Sequence, residues 1–311
     1  MRHRTFPARG AVLLFVACFC SSCVSLGPGR VAERGDPDLL ELSEAAHLAY
    51  DHGDLPRALA LYGQALDRAR LTNEPQAIVD AACSLAICHI AQKRYRTADV
   101  LLREAAYDAE RGHLDAAEIM LLRAKVAYLE GDFSRCVTLA DKVSGPETDE
   151  LVRLGALILR GQALCGIPDL AAAKAQWRSI EKLSEARAGA APSIRADTLK
   201  LRGTIAGMEH QPGQAASLFD QEAALLRISR RYTDIGPALA RAAECYEAAG
   251  RPDLAADRFY LAARNTAAQG DAGAARRLLA SSVSASERTG DEAARLRATG
   301  LLEEINERGG P

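Results

Sequence analysis

A small residue returns along this chain at intervals near forty, and each return sits in the same local pattern. Ala58, Ala98, Cys136, Ala173, Ala215, Ala255 and Ala294 are separated by 40, 38, 37, 42, 40 and 39 residues. Four residues after each stands a mostly larger side chain: Tyr62, Leu102, Ala140, Trp177, Phe219, Phe259 and Ala298. Three further on come Ala65, Ala105, Val143, Ile180, Glu222, Ala262 and Leu301. Offsets of four and seven fall on one face of a helix. A second small position lies twelve residues before each register residue: Ala46, Ala86, Ala124, Gly161, Gly203, Ala243 and Ser282. Between the two runs stands turn chemistry: Gly53-Asp54, Gly131-Asp132, Pro168-Asp169, Gly250-Arg251-Pro252 and Gly290-Asp291. Lys93-Arg94 and Gln211-Pro212-Gly213 fill the remaining two places. Each unit therefore reads as helix, tight turn, helix. Neither helix alone can hide its apolar face, so the units must stack on one another.

Composition agrees with close helix packing. Of 311 residues 48% are apolar and only 5% aromatic, which disfavours a β-sandwich. Thirty-nine basic and 41 acidic side chains are interspersed, giving a formal net charge of −2. No basic stripe appears of the kind that nucleic-acid binding requires. The alternative architecture is an irregular alanine-rich helical bundle, which the seven in-register copies disfavour.

The order small, turn, small, aromatic, small resembles the tetratricopeptide repeat. Ala243, Gly250, Ala255, Phe259 and Ala262 carry the resemblance best, and Ala46, Gly53, Ala58, Tyr62 and Ala65 match it equally. The resemblance implies an all-α fold, a right-handed helical-repeat solenoid of about seven helix pairs over residues 39–308. The usual period of such repeats is about 34 residues, so the surplus here is expected in longer helices or longer connections. The proline that commonly closes a unit is missing from most copies.

The first residues read as an address. Arg2, His3, Arg4 and Arg9 precede an apolar run from Ala11 to Cys20, followed by Ser21, Ser22 and Cys23. A run of that length suits a secretory signal and is too short to span a bilayer. Small residues before a cysteine resemble the lipobox of bacterial lipoproteins. That resemblance implies a signal peptide over 1–22, a diacylglyceryl group on Cys23 and a tether over 23–38. The match is imperfect, since the family prefers Leu where Cys20 stands. Cys18 is the rival anchor, and an ordinary cleaved signal is the remaining alternative. Val24 follows the cysteine where Asp would favour inner-membrane retention, so the expected address is the outer membrane, facing the periplasm.

Residues of a catalytic kind are scattered. His3, His47, His52, His89, His113 and His210 form no zinc-protease spacing. There is no phosphate-binding Gly-rich loop with its Lys-Ser/Thr, and no G-x-S-x-G. Cys83, Cys88, Cys136, Cys165 and Cys245 are an odd set without paired spacing, so burial is expected for most of them. No enzyme, metal or cofactor is expected.

What remains is surface. In the tetratricopeptide family the first helix of each unit lines a groove, through positions 18, 15, 11, 8 and 7 residues before the register alanine. Carried onto this chain, those offsets give His47 and Tyr50, Ile87 and Ile90, and Leu121, Lys125 and Tyr128. Further along they give Ile158 and Gln162, Lys200 and Thr204, and Glu244 and Glu247. The lining passes from apolar and aromatic to polar and acidic. An apolar groove with a polar rim suits an extended or helical peptide. The resemblances together imply an envelope scaffold for a protein or peptide partner, attached to the membrane through lipid. The alternative is a small-ligand or transporter-associated binding lipoprotein.

Overall fold

The computed structural model of the chain describes residues 36–143, 145, 148–185 and 191–308. The signal segment 1–22, Cys23, the rival Cys18 and most of the tether lie outside the described residues. Among the described residues there are fourteen α-helices and no strand. They fall into two compact units, one ending at Ile167 and the other beginning at Pro168.

The first unit holds α1 (Pro37–Asp51), α2 (Leu55–Thr72), α3 (Pro75–Ala91), α4 (Tyr95–Arg111), α5 (Ala117–Glu130), α6 (Phe133–Asp141) and α7 (Glu150–Gly166). Each packs on the next, and α3 also touches α5, as α5 touches α7. The second unit holds α8 (Leu170–Glu185), α9 (Pro192–Met208), α10 (Pro212–Ile228), α11 (Tyr232–Ala248), α12 (Pro252–Ala268), α13 (Ala272–Thr289) and α14 (Glu292–Arg308). Again consecutive helices pack, and here the additional contact is between α12 and α14.

The small-residue register is the core. All seven register residues from Ala58 to Ala294 are buried, and so are all seven small residues twelve positions earlier. Most of the side chains four and seven residues on are buried as well, Tyr62, Leu102, Phe219 and Phe259 among them. Gly203 shows why the earlier position must stay small. A Cβ built there would stand 2.8 Å from the Phe219 ring, closer than side-chain packing tolerates. Cys136 sits at zero exposure as a packed hydrophobe.

The turns do two jobs in two residues. Gly131 takes a left-handed φ of +81°, which only glycine adopts at no steric cost, and ends α5. Asp132 follows and accepts from the Arg135 backbone N–H at 3.0 Å, capping α6. Asp54, Asp271 and Asp291 cap the following helices in the same way, each after a left-handed glycine. Where glycine is missing, other residues take the conformation: Lys93 at φ +62° and His210 at +59°. The fifth turn is thus centred on His210, and Gly213, expected in it, lies inside α10.

Most of the surplus over the usual repeat period is helix. Eleven of the fourteen helices run 16–18 residues, and connections such as that from Thr72 to Pro75 are minimal. The nine-residue α6 is the exception, with a longer connection before α7. No described helix is long and apolar enough to cross a membrane.

The register can be tested by volume. Ala255→Leu forces three carbons into a helix crossing with zero exposure and is expected to cost ~1–3 kcal/mol. Ala268, exposed at the end of α12, should tolerate Leu within about 0.5 kcal/mol. Its neighbour Ala267 packs against the apolar cluster around Leu279 and is no control. Thermal denaturation of both variants checks the difference.

Candidate functional site

In the first unit the first helices α3, α5 and α7 of successive pairs stand side by side. Leu121 on α5 reaches α7, its Cδ2 3.4 Å from where a Cβ on Gly155 would lie. The residues expected to line this row are largely where the offsets put them. Tyr50, Ile87, Ile90, Leu121, Lys125 and Tyr128 are all half-buried, and His47 is exposed, 3.5 Å from the Asp51 carboxylate. Tyr50 and Ile90 rest on the core of α1–α5, and Leu121 and Tyr128 on that of α5–α7. The Tyr128 ring is braced by Phe133, centroids 5.6 Å apart. The row ends at α7: Ile158 is 2% exposed and Gln162 8%, so they belong to the packed interior and not to an open lining.

Three residues at the same offsets extend the lining. Asp80 and Glu118 stand 18 residues before Ala98 and Cys136, and Cys83 stands 15 before Ala98. All three were available from the spacing, had it been applied to every position of each helix. Burial pushes the Asp80 carboxyl above its ordinary value, a hydrogen bond from Gln76 Nε2 at 2.8 Å acts against this, and Glu74 adds repulsion. Glu118 stays exposed at the start of α5, and desolvation by its neighbours, followed by the charges of Asp80, Asp115 and Asp149, raises its carboxyl.

The residues expected further along fall in the second unit, and they are polar. Glu244 is exposed, and half-buried Glu247 is in an ion pair with Arg288 of α13. Lys200 is half-buried and its pKa is pulled to about 8, by burial first and by Arg241 second. Thr204 turns its hydroxyl onto the Lys200 carbonyl at 2.9 Å. Beneath them Glu222, 3% exposed, occupies a slot that is apolar in every other copy, alanine in Ala65, Ala105 and Ala262. Both Glu222 carboxylate oxygens accept from Arg241 Nη2 at 2.8 Å, and Arg241 stacks 4.9 Å from the Phe219 centroid. Arg231 joins Asp197 of α9 to Asp234 of α11. Charge in this unit is chiefly consumed in joining helices.

Burial of the cysteines is less general than expected. Cys88 and Cys136 are buried, while Cys83, Cys165 and Cys245 are partly exposed. Burial pushes the Cys136 thiol to about 12 and those of Cys165 and Cys245 to about 11. None of these three is a thiolate near neutral pH. Among the described residues no group of three or more His, Cys, Asp or Glu side chains is placed to hold a metal ion.

Two carboxylates of α3 and α4 titrate in opposite senses. Burial alone would raise Asp99, but the hydrogen bond from Arg135 at 2.6 Å and the charges of Arg135, Arg123 and Arg103 hold it below the usual range. Its stabilisation is complete above the unfolded value near 3.9 and is lost as pH falls through the lower folded value. For Asp80 and Glu118, raised in the fold, the sign reverses: folding is penalised at neutral pH and relieved as pH falls toward their folded values. At pH 7 Asp99→Asn should therefore destabilise by about 1–3 kcal/mol. Asp80→Asn should stabilise slightly, by less than about 1 kcal/mol, and raise the melting temperature accordingly. Melting curves taken as pH falls from 7 toward the unfolded value near 3.9 should show the Asp80→Asn gain shrinking.

No protein-family model matches the sequence, and no curated protein matches it. Solved structures do. The chain is similar to a signal-transduction ATPase with a tetratricopeptide-repeat sensor from Pyrococcus horikoshii, at TM-score 0.59 and 13% identity. That match covers 85% of this chain but only 41% of the archaeal protein. A Rap protein complexed with Competence and Sporulation Factor matches at TM-score 0.57 and 12% identity, over 87% of this chain and 86% of that one. The quorum sensor NprR of B. thuringiensis, in its apo form, matches at 0.54 and 12%, over 88% and 89%. At such identities the likeness shows the fold, which is that of a tetratricopeptide-like helical repeat.

Proposed function

We propose that this chain is a lipid-anchored scaffold of the bacterial envelope that binds a protein or peptide partner along α1, α3 and α5. The observation that carries the binding half is the row Tyr50, Ile87, Ile90, Leu121 and Tyr128, apolar and aromatic yet only half-buried. Side chains of that kind on one face of adjoining helices leave apolar area for a partner to cover. The likeness to a Rap protein complexed with Competence and Sporulation Factor supports this reading. The non-catalytic reading rests on the sequence, which lacks a nucleophile–base pair and a cofactor motif.

Binding is tested by charge insertion. Ile87→Asp and Leu121→Asp place a carboxylate on the apolar row, with aspartate preferred over a larger residue to limit steric damage. In-cell crosslinking with a photoreactive group at Tyr50 should capture a defined partner in the parent and lose it, at least tenfold, in both variants, which corresponds to about 1.4 kcal/mol or more. Unchanged capture would remove the groove from the mechanism. Melting curves separate loss of binding from loss of fold.

The anchor reading rests on the charged start, the apolar run Ala11–Cys20 and the small residues before Cys23. Several acyl chains hold a protein firmly, at about 0.8 kcal/mol per buried CH₂. Cys23→Ala should lose the lipid label and detergent-phase partitioning, while Cys18→Ala and Cys20→Ala keep both. Label lost only in Cys18→Ala moves the anchor there. A parent protein without label ends the lipoprotein reading.

A further inference from the structure

The second unit carries a tip whose side chains its own packing does not use. The turn from α10 into α11 reads Arg227-Ile228-Ser229-Arg230-Arg231-Tyr232. Of these six only Arg231 is buried, and it is taken up by Asp197 of α9 and Asp234 of α11. Ile228 is 66% exposed and Tyr232 55%. Among the described residues of the second unit, the one other large apolar side chain so open to water is Leu296 on α14. Exposed apolar residues scattered singly need no explanation. Two of three on one turn, four residues apart, are not scattered.

The tip is held in place on both sides. Arg231 Nη1 donates to both Asp197 oxygens at 3.0 Å, joining it to the start of α9. Asn265 of α12 donates from Nδ2 to the Tyr232 carbonyl at 3.0 Å, and its Oδ1 accepts from the Gly236 N–H at 2.8 Å. The starts of α9 and α11 therefore lie at one end of the unit with the turn between them, and Arg195, exposed on α9, joins exposed Arg227 and Arg230 there. The carboxylates of α9 and α11 nearest this end, Asp197 and Asp234, are buried. Helix electrostatics accounts for Arg227, in the last turn of α10, where a cation is favoured. It does not account for Arg195, the fourth residue of α9. A first turn favours acids, as Asp38, Glu118 and Glu150 show in α1, α5 and α7. No run in the sequence announces Arg195 as part of this patch, because only the fold brings it to the turn.

Basic side chains around protruding apolar and aromatic ones match a surface that is anionic outside and apolar just beneath, which is a bilayer containing anionic phospholipid. Tyrosine is enriched at that boundary, its ring among the acyl chains and its hydroxyl at headgroup level. A convex tip can enter such a layer, whereas a peptide needs a groove to receive it. We propose that the α10–α11 turn is a membrane-contact site: Ile228 and Tyr232 enter the headgroup layer of an anionic leaflet, and Arg195, Arg227 and Arg230 meet the phosphates around them. A lipid on a tether holds a protein near a membrane without orienting it. The tip sets which end of the second unit faces the lipid, whether or not the chain is lipidated.

Tyr232→Trp places an indole on the tip, and the parent, whose one tryptophan is Trp177 on α8, supplies the background. The purified full-length proteins are mixed with vesicles of brominated phosphatidylcholine, alone or with an equal part of phosphatidylglycerol. The added indole should be quenched on the anionic vesicles and far less on the neutral ones, with the parent unquenched on both. Adding Arg227→Gln and Arg230→Gln should weaken binding to the anionic vesicles about tenfold, with melting curves unchanged because both side chains are exposed. Protein that floats with the vesicles while the indole stays unquenched overturns the site and leaves attachment to the anchor. Equal quenching on neutral and anionic vesicles, or no loss in the double-arginine variant, overturns it too. Displacement from anionic vesicles by duplex DNA at equal phosphate concentration reassigns the tip to nucleic acid.

Discussion

Helices that cross at alanine or glycine approach closely enough for a ring four residues further along the partner helix to fill the adjoining space. That contact recurs in this chain, and everything else hangs from it. Gly203 leaves room for Phe219 that a single methyl would take, and Gly166 does the same for Phe133, whose ring a Cβ would meet at 2.6 Å. A helix buried along so narrow a stripe has its rotation about its own axis fixed by two or three small residues. Rotation, in turn, decides which residues of α1, α3 and α5 look outward. The outward face of these helices is therefore a consequence of the register, not a separate construction.

The polar contacts add a second repeat logic. Many of the ion pairs join residues roughly one unit apart in sequence: Arg70 with Glu104, Arg135 with Asp99, Arg231 with Asp197, Arg258 with Asp220, Arg288 with Glu247. Partners 34 to 41 residues apart are neighbours only because each unit repeats the previous one. In the second unit such pairs enter the core itself. Glu222 stands where an alanine would serve, and the position is tolerated because Arg241 supplies two charge-assisted hydrogen bonds while its plane covers Phe219. Breaking one partner of such a buried pair strands the other, so these residues fix the pairing of helices more than they add stability.

The parts of this architecture that depend on local chemistry were legible in the sequence. Small residues at forty-residue spacing located the crossings, and Gly-Asp pairs located turns whose capping aspartates then appear in the structure. Lys93 was placed in its turn by position, but His210 escaped because a left-handed conformation at a non-glycine residue has no strong signature. The burial of Gln162 and Ile158 escaped for another reason: periodicity gives the face of a helix but not how far neighbouring helices close over it. The Arg241–Glu222 pair escaped because a charge at a core position reads as a departure from pattern until its partner, 19 residues away, is seen. Asp80 and Glu118 were available from the same offsets that gave Ile87 and Leu121, yet an acidic residue in the first turns of a helix is so ordinary that it attracts no attention.

That ordinariness makes the contrast among the carboxylates informative. Asp99 and Asp80 are the same residue type, both largely removed from water, in helices that pack together. Three arginines make the first an anchor of the fold, whereas the second faces a neutral amide and further acids. A helix N-terminus favours negative charge by about 0.3–1 kcal/mol, which helps to explain how the fold carries Glu118 in the first turn of α5, whereas Asp80, in the second turn of α3, lies beyond that reach. It does not explain why both stand on the half-open face of adjoining helices, or why arginine, so freely used one repeat away, is not placed opposite them. A stable fold needs neither carboxylate in that position.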